Sequence, residues 1–102
     1  ADVFRERFER TVSVIKEGDE IILLADIIGG SPLTNALDVL SQKGLLGRTK
    51  ALGGMNLPMA LTASMMKDAM DMDILTADMI RESQNAIGEM VFPAADEGEE
   101  DI

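Results

Sequence analysis

Ile21-Ile22-Leu23-Leu24-Ala25 is apolar at every position. A strand with one wet face would alternate apolar and polar residues. One that is apolar throughout is covered on both sides, as in parallel sheets flanked by helices. Asp26 ends the run, and Ile27-Ile28-Gly29-Gly30-Ser31-Pro32 follows. Glycine pairs break strands, serine suits a helix cap and proline suits the first helical position. The segment therefore predicts a strand over 21–25, a turn, and a helix capped by Ser31 with Pro32 as its first residue. Leu33, Ala36, Leu37 and Leu40 make one face of that helix, and Gly44 is its stop.

The rest of the chain repeats this order. Residues 1–16 read as an amphipathic helix, with Phe4, Phe8, Val12 and Ile15 at helical spacing and Arg5, Glu6, Glu9 and Arg10 opposite. Gly18-Asp19 is a turn. Lys50 to Gly54 predicts a second, shorter strand, and Asn56-Leu57-Pro58 opens a helix to about Met66. Asp68 to Asp73 is a polar break before a last helix over Ile74 to Ile87, which stops at Gly88. Met90-Val91-Phe92 has the composition of a short final strand. Strands alternating with helices imply an α/β fold, with an open, mainly parallel sheet covered by helices. The 102 residues fit one small domain, residues 1–93, with residues 94–102 as an acidic tail or linker. Two or three strands make a thin sheet, and the order opens on a helix. Further strands are expected ahead of residue 1.

Composition narrows the function. The formal net charge of −10 makes nucleic acid and anionic membranes poor partners. There are no cysteines and no histidines, which rules out disulfides and removes the commonest metal ligand and the usual neutral-pH base. No cofactor is expected. Asp68, Asp71 and Asp73 match no calcium-loop pattern, so no metal site is expected either. Met55, Met59, Met65, Met66, Met70 and Met72 suit core or subunit-interface packing. The longest apolar run is too short to span a bilayer and the start has no signal-peptide pattern, so a cytoplasmic location is expected.

Ligands of open parallel sheets bind at the carboxyl ends of strands. Two such ends exist here, Asp26 to Pro32 and Gly53 to Pro58. At the first, Gly29 and Gly30 let the backbone approach a ligand, and the following helix presents free amides suited to phosphate. The Ser31 hydroxyl can donate. Asp26 would repel phosphate unless a hydrogen-donating group such as an imidazole stood between them. Turn-and-cap chemistry alone also accounts for Gly29, Gly30, Ser31 and Asn56. A carboxylate ending a wholly apolar strand is harder to explain without a partner.

Leu23-Leu24-Ala25-Asp26-Ile27-Ile28-Gly29-Gly30-Ser31-Pro32 and Ala51-Leu52-Gly53-Gly54-Met55-Asn56-Leu57-Pro58-Met59 resemble the two signatures of the enzyme IIA domain of mannose-type (mannose, fructose, N-acetylgalactosamine) sugar phosphotransferase systems. The stretch Ala25 to Pro32, together with the later Gly54-Met55-Asn56-Leu57-Pro58-Met59 run, is especially similar to members for N-acetylgalactosamine and related amino sugars. The likeness covers residues 1 to about 93. It implies a homodimer that exchanges a carboxyl-terminal strand, about Glu89 to Phe92. It also implies a phosphoryl relay from the histidine phosphocarrier protein, through a histidine on IIA, to a IIB component that serves a membrane sugar permease. By this resemblance Asp26 orients the active histidine, while Gly29, Gly30, Ser31 and, from the second loop, Asn56 bind the phosphoryl group. The family's histidine lies on a strand ahead of residue 1, in a strand-helix-strand unit of at least about 30 residues. The expectation is a fragment of such a domain, inactive alone, rather than a degenerate copy. Two alternatives are an IIA-like regulatory module of a transcriptional activator and a non-catalytic anion-binding α/β protein.

Overall fold

The computed structural model describes residues 2–93, so the acidic segment expected at 94–102 lies outside the described residues. Four helices and two strands follow in the order α1 (Asp2–Val12), β1 (Ile21–Leu24), α2 (Ser31–Gln42), β2 (Thr49–Leu52), α3 (Leu57–Met66) and α4 (Met72–Asn85). A single 3-10 turn, Leu46–Arg48, leads into β2. The strands are parallel, with Ile21 opposite Thr49 and Leu24 opposite Leu52, and α2 is the crossover between them. The fold is α/β.

The unbroken apolar run of β1 has a direct cause. Ile21 and Leu23 pack on a cluster of Val12, Val39, Leu40 and Leu45, supplied by α1, α2 and the turn after α2. Ile22 and Leu24 point the other way, onto Leu52, Met59, Ala63, Leu75 and Met79. Period two along the strand thus feeds two cores, one per face. Among the described residues each strand pairs only with the other, and the side chains of β1 are half-buried.

Several boundaries differ from the sequence reading. Helix α1 ends at Val12, not at residue 16. The Ser13 hydroxyl donates to the Arg10 carbonyl at 2.6 Å, a local bond that competes with helix continuation. Ile15 still reaches the core from the turn beyond. Phe4 and Phe8 stack with ring centroids 5.9 Å apart, and Arg5 pairs with Asp38 to tie α1 to α2. In α2 the N-cap is Gly30, in extended conformation, so Ser31 is the first helical residue and Pro32 lies one place further in than expected. Glycine is an acceptable cap and proline is tolerated through the first turn, so a shift of one residue costs little. Val39, rather than Leu37, completes the buried stripe with Leu33, Ala36 and Leu40. The chain turns through Gly44, where the Leu45 amide donates to the Leu40 carbonyl at 2.9 Å.

Strand β2 starts one residue and ends two residues earlier than predicted, and Gly53-Gly54 belongs to the turn that follows. Helix α4 starts at Met72 because the Asp71 carboxylate accepts from the Asp73 amide at 3.1 Å. It ends at Asn85, short of Ile87 and Gly88. Residues 87–93 form no strand, and Ile87, Met90, Val91 and Phe92 are exposed. Strand-like composition does not suffice there, since a strand exists only where a neighbour supplies the hydrogen bonds. The methionines divide: Met59 and Met79 are core residues, Met66 and Met70 line the core, and Met65 is exposed.

Candidate functional site

The hydrogen-bond ladder does not stop where the strands end. The Ala25 amide donates to the Leu52 carbonyl at 2.9 Å, the Met55 amide to the Ala25 carbonyl at 2.9 Å, and the Gly54 amide to the Asp26 carbonyl at 3.0 Å. These bonds sew the two loops together at one end of the sheet. The loop after β1 then turns through Gly29, whose φ of 76° is a conformation that side chains disfavour. It enters α2 at Gly30, whose carbonyl accepts from both the amide (3.0 Å) and the hydroxyl (3.0 Å) of Thr34.

Asp26, Gly29, Gly30 and Ser31 are thereby gathered between the end of β1 and the start of α2. Asp26 is exposed, and its carboxylate makes no hydrogen bond or ion pair among the described residues. The first amides of a helix have no partner within it, and at the start of α2 these include Ser31 and Leu33. Ser31 is exposed too. Its hydroxyl does not cap the helix, and it accepts only a long 3.5 Å bond from the Asn35 amide nitrogen. A negatively charged group placed here would meet backbone donors, a hydroxyl and the positive end of a twelve-residue helix. A cleft of about 380 Å³ opens alongside, lined by Phe4, Phe8, Leu23, Ala36 and Met55, with Asp26 as its only charged group. A second groove, of about 650 Å³, borders β1 at Ile22 and Leu24 on the opposite face. The outer rim of the site is apolar, since Ile27, Ile28, Met55 and Leu57 are all exposed.

Asn56 is placed differently. It caps α3, its side-chain oxygen accepting from the Met59 amide at 3.0 Å. Its amide nitrogen donates to the Ser83 carbonyl at 2.9 Å. Both ends of the amide are therefore engaged within the fold, and the residue supports the second loop from behind. Ser83, the one buried polar residue among those described, was not singled out from sequence. It lies 27 positions from Asn56 with no local pattern to flag it.

Residues 1–91 match the model of the family described as PTS system fructose IIA component. The chain belongs to this family. The match runs from α1 to beyond the end of α4 and takes in both loops. The IIA family is a component of the sugar phosphotransferase system, which fits the mannose-type resemblance carried by the two glycine loops. A IIA component works with a phosphocarrier protein and a IIB component. No curated protein is similar enough to this chain to be matched. No helix among the described residues is long and apolar enough to cross a membrane.

Proposed function

We propose that this IIA-family chain forms part of a phosphoryl-carrier site that accepts phosphate from the histidine phosphocarrier protein and passes it to a IIB component during sugar uptake. One observation carries the reading: the Asp26 carboxylate, without a partner among the described residues, stands at the strand end beside the Gly29-Gly30-Ser31 entry to α2. An imidazole seated in the cleft next to Asp26 donates its near N–H to the carboxylate, which fixes its tautomer and favours the positive charge that develops on the ring. Its far nitrogen attacks phosphorus as the P–N bond to the carrier breaks. The oxygens of the transferred group then face the first amides of α2 and the Ser31 hydroxyl. Asn56 holds the second loop in place.

Residues 1–102 contain no histidine, so in this reading the acceptor imidazole is supplied from outside them and the 102 residues alone are inactive. The apolar rim of Ile27, Ile28, Met55 and Leu57 suits docking of a protein partner. The exposed Ile87, Met90, Val91 and Phe92 support a homodimer in which the segment about Glu89 to Phe92 is exchanged. The domain then acts in the cytoplasm and serves the membrane permease only indirectly.

The test is phosphoryl transfer from labelled phosphocarrier protein to the full-length protein. The expected product is an acid-labile phosphohistidine that is discharged by IIB. Label on a serine or carboxylate, or no label at all, would defeat the proposal.

A further inference from the structure

A side chain added at Gly53 has nowhere to go. A Cβ there would lie 2.7 Å from both Cβ and Cγ1 of Ile28 and 2.8 Å from its Cα. The outer part of Ile28 is free, since the residue is 76% exposed. Its root is not free, because Cα and Cβ move only if the loop backbone moves. The contact joins the two loops at a point beyond the bonds from Gly54 and Met55 to Asp26 and Ala25. Ile28 immediately precedes Gly29 and Gly30.

We propose that Gly53 is a positioning residue for the phosphoryl-holding loop: the room left by its missing side chain seats the root of Ile28 and fixes Gly29, Gly30 and Ser31 against the end of β2. The inference rests on the reading of the Asp26-to-Ser31 loop given above. A methyl at Gly53 pushes Ile28 outward by roughly 1 Å to reach ordinary contact, a misplacement on the scale that costs on the order of 10²-fold in rate when it reaches reacting groups.

The experiment compares Gly53→Ala, Gly53→Ala with Ile28→Gly, and Gly47→Ala in the full-length protein. Gly47 is a control, since a Cβ there meets open space. Two readouts are taken: the amide resonances of Gly29 and Gly30, and phosphoryl transfer from the phosphocarrier protein with kcat and KM separated. Gly53→Ala is expected to move both resonances and to lower kcat by roughly 10²-fold. Gly47→Ala leaves both readouts at parent values. The double variant, which removes two of the three clashing atoms, regains at least about tenfold of the lost kcat, while the missing Ile28 rim contact shows in KM. If Gly53→Ala does not fold, the double variant is expected to fold where the single does not. Unmoved Gly29 and Gly30 resonances in Gly53→Ala, or a double variant whose kcat is no better than that of the single one, overturn the proposal. If the parent itself takes no phosphoryl group, the relay reading fails while the amide resonances still decide whether Gly53 seats the loop.

Discussion

The side chain of Asn56 caps two helices at once. It accepts from the Met59 amide at the start of α3 and donates to the Ser83 carbonyl near the end of α4, at 3.0 and 2.9 Å. Ser83 is among the last carbonyls of α4, which a helix leaves without internal partners. Asn56→Asp keeps a good N-cap but sets a carboxylate against that carbonyl and leaves it unpaired. The expected cost is about 1–3 kcal/mol. Asn56→Ala also leaves the carbonyl unpaired and loses the cap, worth about 1 kcal/mol more. Urea unfolding measures both, and an aspartate variant at parental stability would show that the bond to Ser83 contributes nothing.

Ser31 separates capping from ligand binding. Its hydroxyl caps nothing, so Ser31→Ala should change stability by no more than about 0.5 kcal/mol. Ser31→Asp should keep the fold, because an acidic residue in the first turn of a helix is favourable. In the relay, however, aspartate faces the phosphoryl oxygens, and two unit charges 4 Å apart repel by about 4 kcal/mol at an effective dielectric near 20. Transfer should be nearly abolished by aspartate and only partly impaired by alanine. Parent-rate transfer by Ser31→Asp would remove this residue from the phosphoryl site.

Asp26 has no partner within the described residues, so Asp26→Asn should leave the melting temperature almost unchanged. Transfer should fall by roughly 10²-fold or more, since an amide cannot stabilise the imidazolium by charge. A thermal melt beside a transfer assay checks both halves. A large loss of stability with transfer intact would mean that the carboxylate is structural.

Met79 is fully buried, whereas Met65 is 75% exposed. Met79→Ala should destabilise by about 2–5 kcal/mol, and Met65→Ala by no more than about 0.5 kcal/mol. Equal effects in chemical denaturation would contradict the assignment of the α3–α4 core.

The Lys50 ammonium lies 2.7 Å from an Asp73 oxygen, and that hydrogen bond holds its pKa above the ordinary lysine value. A cation whose pKa is raised by folding contributes stability below its unfolded pKa, about 10.4, and loses it as pH rises through the folded value. The parent's extra loss of stability in that alkaline window should vanish in Asp73→Asn. An identical alkaline profile in the two proteins would show that the pair does not form in solution.

The α/β class was legible because β1 is covered on both sides, and its residues record that cover one by one. Ile21 and Leu23 serve one core, while Ile22 and Leu24 serve the other. Both glycine loops were legible because Gly, Ser, Asn and Pro punctuate strand-to-helix junctions for strong local reasons. The exact cap of α2 was not, since Gly30 and Ser31 are both acceptable caps and the choice turns on backbone angles. The Asn56–Ser83 bond and the Gly53–Ile28 contact were hidden for another reason. Each joins residues that are distant in sequence, and neither leaves a periodic trace. Residues 90–92 have strand-like composition, but composition cannot supply the neighbour that a strand requires.

Among the described residues the two cores share no residue, and the candidate site hangs from both: Leu24 and Leu52 lie in one, and Ser31 opens the helix that carries Val39 and Leu40 into the other. Asp26 and Gly54 are tied to each other through the strand ends, not through the helical layers. The two layers thus meet chiefly at the sheet. A substitution that loosens either layer therefore reaches the site by its own route, through Ser31 on the α1–α2 side or Asn56 on the α3–α4 side.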